Sequence, residues 1–331
     1  MSYRKTRKQS EIVLAELRKR SKNGLEFAKK IILAEKIRYK KLHDALEHYV
    51  SNWNDMTHPG LFAIACEAVG GDLEAAVSFQ AAIAMIAAAF DIHDDIIDKS
   101  TAKHGVPTVF GKFGEEVALL LGNAFLIEGF TLLGTCLEKS NQRAVEVFRI
   151  IKQSLFEFGN AHALELSLKK RTDVAPDEYL EIVKMKAASI EGDMRIGAII
   201  GGGTPKEVET LAKYGRILGT LAMLREEFID VFDVEELNQR MCSEYLPIPV
   251  LYAIQDEETR EKIQRLLAKG KIGNKDIDTL VNMVFEARNT GELKESMSKL
   301  VTRAIRLTSN VKNNKLRNQL QTFVSSTMED L

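Results

Sequence analysis

Four aspartates carry the most distinctive chemistry in this 331-residue chain: Asp91, Asp94, Asp95 and Asp98, within the segment FDIHDDIIDKS at 90–100. On a 3.6-residue repeat they fall at i, i+3, i+4 and i+7, so one helix face carries all four carboxylates. A helix ending near Lys99 or Ser100 brings that face to the negative end of its dipole. Dipole and mutual repulsion each cost about 0.3–1 kcal/mol. A bound cation resolves such a cluster. Hard carboxylate oxygens without a Cys or His set point to Mg²⁺, which bridges carboxylates to phosphates. The alternative is a solvated acidic face closing a helix. A second cluster repeats the spacing: Glu226 and Asp230 at i, i+4, with Glu227 beside them and Asp233 one turn on. From its residues alone, this one reads as an acidic surface.

Segments around the two clusters carry a family resemblance. Asp94-Asp95-Ile96-Ile97-Asp98 resembles the first DDxxD motif of the trans-polyprenyl diphosphate synthase family. Lys103-His104-Gly105-Val106-Pro107-Thr108 stands where that family has Arg-Arg-Gly-x-Pro-Thr. Leu120-Leu121-Gly122-Asn123-Ala124-Phe125-Leu126 is similar to its LLGDxLL segment, and Lys184-Met185-Lys186-Ala187-Ala188 to its KTA segment. Glu226-Glu227-Phe228-Ile229-Asp230 stands at the second DDxxD, as an EExxD, and Tyr245-Leu246-Pro247 at the Leu-Pro that follows. The similarity is collinear from about residue 50 to 255.

The resemblance implies an all-α, isoprenoid synthase-type bundle with a central cavity between the two acidic motifs. Asp94, Asp95 and Asp98, with Glu226, Glu227 and Asp230, become the Mg²⁺ ligands. Lys103, His104 and Lys186 become contacts to the substrate diphosphate, and Lys186 joins the three aspartates as catalytic. Ala89 and Phe90 become the cavity wall one turn above the first motif. The implied reaction is ionisation of an allylic prenyl diphosphate, with metals neutralising the leaving pyrophosphate. A homodimer is expected on the same ground.

The acceptor half departs from the family pattern. The family's Gly-Lys-Arg-x-Arg-Pro aligns with Asn54-Asp55-Met56-Thr57-His58-Pro59, so Asp55 and Met56 replace a Lys and an Arg. Ala87 replaces a family His, and His104 an Arg; Met223 stands at a family Gln. Each charge-assisted hydrogen bond lost to a phosphate costs about 1.5–3 kcal/mol. The leading expectation is therefore transfer to an acceptor other than isopentenyl diphosphate, or cyclisation. The alternatives are an ordinary chain-elongating synthase, its cradle rebuilt from residues such as His58, Arg195 or Arg225, and a non-catalytic modulatory subunit.

The elements that position these residues read as helices throughout, in one domain spanning 1–331 after a flexible basic tip at 1–10. A long helix is expected from Glu11 to Tyr49 and another starting near Pro59 and ending at Gly70-Gly71. Asp72 is expected to N-cap the helix that delivers the aspartates, whose many alanines suit burial or a cavity wall. A loop at 99–112 follows, then helices at 115–137, 141–168, 177–200 and 208–238, with Thr204-Pro205 as cap and start. Helices separated by short polar turns fill the remainder. No convincing strand pattern appears.

Net charge is −1, which excludes a global field for nucleic acid or anionic membrane. Residues 75–97 form the expected membrane candidate, interrupted by Gln80 and the aspartates short of a clean span. Cys66, Cys136 and Cys242 lack paired spacing and read as buried free thiols of a reducing, cytoplasmic compartment.

Overall fold

The computed structural model describes residues 8–331 except 104, 138–140, 170, 172–173, 244 and 330, and the backbone alone at 141–142 and 242–243. Among the described residues it holds sixteen helices and one two-stranded ladder. The fold is all-α, as the periodicity and the family resemblance led us to expect. The helices form two compact units.

One unit comprises Glu11–Arg149 with Asp193–Val208. In it, α1 (Gln9–Leu33), α2 (Lys40–Asn52) and α3 (Thr57–Ala68) precede α4 (Val77–Ile97), the helix with the aspartates. The expected single helix over 11–49 is broken at 34–39 with no Gly or Pro to announce it. The turn lets Leu46 and Val50 of α2, together with Ile37, join Ala28 and Ile32 of α1 in one core cluster. Burial of several aliphatic side chains, each about 1.5–3 kcal/mol, outweighs the unbroken helical propensity.

Alanines at 81, 82, 84, 88 and 89 of α4 are fully buried, because α6 (Glu115–Leu137) packs closely along them. Two glycines of α6, seven residues apart, permit that approach. A Cβ at Gly122 would lie 2.4 Å from His93 Nε2, and one at Gly129 2.8 Å from Ile86 Cγ1. Asp72 does not cap α4. Its Oδ1 accepts from Glu74 N at 2.9 Å in a turn that precedes the helix.

The expected loop at 99–112 contains a tight hairpin, β1 (Ala102–Lys103) with β2 (Val106–Pro107), followed by α5 (Val109–Phe113). Lys103 pairs with Val106 and Ala102 with Pro107, antiparallel. Two-residue strands leave no alternation to read in the sequence.

The second unit comprises Met1–Ser10, Ile150–Gly192 and Glu209–Leu331. Of the expected flexible tip, Gln9 and Ser10 are already helical, and their backbone N–H groups donate to Glu329 at 2.8 and 3.0 Å; residues 1–7 lie outside the described set. The chain continues through α7 (Asn141–Leu168), α8 (Pro176–Lys186), α9 (Ala188–Ile200), α10 (Pro205–Asp230) and α11 (Val234–Ser243). Five further helices end it: α12 (Ile248–Ala253), α13 (Glu257–Leu267), α14 (Asn274–Glu286), α15 (Arg288–Thr308) and α16 (Asn314–Ser326). The helix expected over 177–200 is two, broken at Ala187, beside Lys186. Arg216 sits against the break, donating to the carbonyl of Lys184 at 2.9 Å and to Glu157 and Glu191 at 2.6 Å each. Residues 208–238 likewise divide. Asp233 lies between the two helices, where its Oδ1 accepts from Glu235 N and Glu236 N and caps α11.

Candidate active site

The α4 aspartates stand where the helix stops. Asp98 is its C-cap, and Lys99 takes the left-handed conformation (φ 57°) that usually requires glycine. Ser100 N donates to Asp95 O at 2.9 Å and Lys99 N to Ile96 O at 3.4 Å, a Schellman closure. The chain then turns into the β1–β2 hairpin, which brings Lys103 back over the acidic face. Its Nζ lies 2.8 Å from Asp91 Oδ1 and 2.8 Å from Asp95 Oδ1. Burial opposes the Lys103 charge, but the two carboxylates outweigh it and hold its pKa above the ordinary value. Asp95 is 4% exposed, and burial lifts its carboxyl to about 6 against the pull of Lys103.

These residues fit a divalent cation. Four carboxylates share one helix face, so the donor set is hard oxygen. The Lys103 ammonium already shows that two of them converge on one cation. Ala89 is fully buried in the core shared with α2 and α6, and Phe90 is half-buried, its ring T-shaped to that of His93 with centroids 6.4 Å apart. His104 lies outside the described residues.

The second cluster is built differently. Glu226 is exposed, with Arg225 Nη1 at 3.8 Å from its carboxylate. Glu227 is buried, and its oxygens are fully used. Oε1 accepts from Tyr179 Oη at 2.6 Å and from both Arg240 terminal nitrogens at 3.1 Å. Oε2 accepts from Arg240 Nη1 at 3.0 Å and Ile248 N at 2.9 Å. Asp230 Oδ2 meets Arg240 Nη2 at 2.5 Å. Burial raises the Asp230 carboxyl to about 7, against the same guanidinium. Nothing in the sequence marks Arg240, Tyr179 or Ile248 as partners of this motif, since they come from three other helices.

Lys186, at the α8–α9 break, contacts Glu165, whose other oxygen accepts from the Tyr245 hydroxyl. Tyr245 packs edge-on against Tyr179 with ring centroids 4.7 Å apart. Burial holds both phenols protonated, well above their ordinary range. Glu165 also escaped the sequence reading, because it is one of three spaced glutamates on a 28-residue helix, with no motif to single it out.

At the acceptor segment, Asp55 accepts from Thr57 N at 2.9 Å and opens α3. His58 Nδ1 lies 2.6 Å from Asp193 Oδ2. Burial works against the imidazolium, but Asp193, then Asp55 and Asp91, raise its pKa to about 9. His58 is therefore a cation at neutral pH, at the position of the second Arg in the family's Lys-Arg-x-Arg run.

Residues 39–284 match the family model described as polyprenyl synthetase. The chain belongs to the polyprenyl synthetase family. It is 30% identical over 234 residues to the short chain isoprenyl diphosphate synthase of Methanothermobacter thermautotrophicus, covering 68% of this chain and 71% of that protein. It is 27% identical over 201 residues to the geranylgeranyl diphosphate synthase of Methanosarcina mazei, covering 60% and 62%. Its fold is similar to that of geranylgeranyl pyrophosphate synthetase from Pyrococcus horikoshii, with a TM-score of 0.83, 20% identity, and 98% and 100% of the two chains covered. As a polyprenyl synthetase, the chain keeps both acidic clusters, Lys103, Lys186 and Arg240 inside the matched span.

Proposed function

We propose that this chain is a chain-elongating trans-prenyl diphosphate synthase, which joins an allylic prenyl diphosphate to isopentenyl diphosphate. The whole chain serves as the synthase domain. The observation that carries the proposal is the convergence of the α4 carboxylates on one cation position, at 2.8 Å from Asp91 and Asp95. The relatives, named as short chain isoprenyl and geranylgeranyl diphosphate synthases, favour isopentenyl diphosphate over another acceptor.

Asp94, Asp95 and Asp98 would hold Mg²⁺, which when bound supplies the charge that neutralises pyrophosphate as it leaves. Lys103 places an ammonium beside the α4 carboxylates for the remaining phosphate oxygens; Lys186 keeps the diphosphate-contact role that the family resemblance implies. The allylic C–O bond breaks with both electrons leaving on pyrophosphate. The double bond of isopentenyl diphosphate then donates its electron pair to the allylic cation, and loss of a neighbouring proton to the departed pyrophosphate restores a double bond. His58, kept cationic by Asp193, supports an acceptor diphosphate.

A second reading has its own support. Asp55 and Met56 stand where the family has two cations, which favours an aromatic or alcohol acceptor, or cyclisation. Incubation with geranylgeranyl or farnesyl diphosphate and Mg²⁺, with and without isopentenyl diphosphate, separates the two by mass spectrometry. Longer diphosphates made only with isopentenyl diphosphate support elongation. Pyrophosphate released with a hydrocarbon or alcohol product in its absence supports the second reading. No product in either tube supports the modulatory subunit.

The α6 helix is long and apolar enough to cross a membrane, in place of the 75–97 segment expected from sequence. It lies along α4 with Leu121, Phe125 and Leu133 fully buried, while Leu119, Leu120 and Ile127 are exposed, as are Val145 and Phe148 of α7. We assign that apolar face to a homodimer contact, since exposed patches of this kind mark association surfaces. Analytical ultracentrifugation tests it. Cys66, buried with its thiol raised to about 11, and Cys136, half-buried, are free; both suit the reducing cytoplasm. The side chain of Cys242 lies outside the described set.

A further inference from the structure

We propose that Arg240 is a built-in cation that closes the second acidic cluster, so that Glu227 and Asp230 bind no divalent ion and metal is held through α4 alone. The proposal rests on the Mg²⁺ reading of α4 given above. Its ground is the saturation of Glu227. A carboxylate offers about four acceptor sites, and here Tyr179 Oη, the two Arg240 terminal nitrogens and Ile248 N donate to it at 2.6–3.1 Å. Entry of Mg²⁺, which takes six oxygens at about 2.0–2.1 Å, would displace at least one of these buried donors and leave it unpaired.

Asp230 is held by the same guanidinium, which the Glu236 carboxylate steadies at Nε, 3.2 Å away on the same helix. The Arg240 side chain is 10% exposed and bears one charge against three carboxylates. Removing it would leave Glu227 buried with its charge uncompensated. Of the EExxD carboxylates, Glu226 is the exposed one, with Arg225 Nη1 at 3.8 Å, and one exposed carboxylate is a weak Mg²⁺ site. The α4 cluster differs in each respect. Its bridging cation is a lysine on a hairpin rather than a buried arginine, and Lys103 is 42% exposed. An ammonium there can swing aside for a metal, whereas Arg240 is tied at every nitrogen.

The arrangement gives the second cluster a different task. Glu227 fixes Tyr179, Tyr179 packs on Tyr245, and Tyr245 and Lys186 share Glu165. Arg240 thereby anchors the polar chain that positions Lys186.

The test is a titration of the full chain with Mn²⁺ in the presence of pyrophosphate, counting bound ions by electron paramagnetic resonance. Asp94→Asn is expected to lose bound Mn²⁺. Glu226→Gln and Asp230→Asn are expected to bind as many ions as the wild type, with unchanged affinity. Arg240→Met, where it folds, is expected to bind at least one ion more, because two carboxylates are released. Mn²⁺ lost from Glu226→Gln or Asp230→Asn would overturn the closure by Arg240 while leaving the α4 reading intact. A wild-type chain that binds no Mn²⁺ overturns the α4 reading, and the division between the clusters falls with it. Glu227→Gln adds a structural arm: its melting temperature without metal is expected to fall, whereas that of Glu226→Gln is not.

Discussion

His58 and Asp193 lie 135 positions apart in sequence and 2.6 Å apart at Nδ1 and Oδ2. The pair couples the stability of its unit to pH. Burial alone would favour neutral imidazole, yet Asp193, Asp55 and Asp91 lift the pKa from 6.5 to about 9. A folded value above the unfolded one means that the contribution is complete below about 6.5 and is lost as pH rises through about 9. Burial also raises the Asp193 carboxyl above its ordinary 3.8, so its own loss of stability with rising pH begins on the acid side, below the His58 range. Denaturant midpoints are expected to fall between pH 7 and 9, and His58→Gln to flatten that slope. A slope unchanged in the variant would remove His58 as the cause.

Asp94→Ala removes one carboxylate from the α4 face. Loss of one oxygen ligand changes both charge and geometry at a Mg²⁺ site, and metal stabilisation is worth several kcal/mol. Turnover of the allylic diphosphate is expected to fall by more than about a hundredfold, with little change in melting temperature since Asp94 is not in the core. Single-turnover release of pyrophosphate reads this directly. Wild-type rates in the variant would sink the metal reading.

Asp55→Lys combined with Met56→Arg restores the two cations that the acceptor segment has given up. Each restored charge-assisted hydrogen bond contributes about 1.5–3 kcal/mol, or roughly ten- to a hundredfold in affinity. Under the elongation proposal, KM for isopentenyl diphosphate is expected to drop by at least about tenfold, with kcat moving less. An unaltered KM would mean that His58 and other groups already hold the acceptor diphosphate.

Most of this frame was legible in the sequence. The i, i+3, i+4, i+7 spacing located the α4 carboxylates, and the bounds of α6 and α7 follow directly from apolar periodicity. The misses share a physical cause. The breaks at 34–39 and Ala187 have no Gly or Pro signature; burial and the Arg216 contacts impose them. The hairpin carrying Lys103 is too short for a period. Arg240, Glu165 and Asp193 act through partners on other helices, and single charged residues on helices look like solvated surface until the fold brings them in. The choice of acceptor turned on the same limit. Asp55 and Met56 argued against isopentenyl diphosphate, but the cation that Asp193 maintains on His58 was not visible from spacing.

Arg216 offers a test of how the α8–α9 break holds Lys186 in place. Its guanidinium donates to Glu157, to Glu191 and to the Lys184 carbonyl that the interrupted helix leaves open. The side chain is 29% exposed, so solvent screens part of each ion pair. Arg216→Met keeps the aliphatic stem and removes every donor. A loss of about 2 kcal/mol in unfolding free energy is expected, from unpaired carboxylates and one unsatisfied carbonyl. The effect on catalysis is separable from that loss. With Lys186 less firmly placed, KM for the allylic diphosphate is expected to rise at temperatures where the variant remains folded. Stability lost with KM unchanged would confine Arg216 to the fold and leave the position of Lys186 to Glu165.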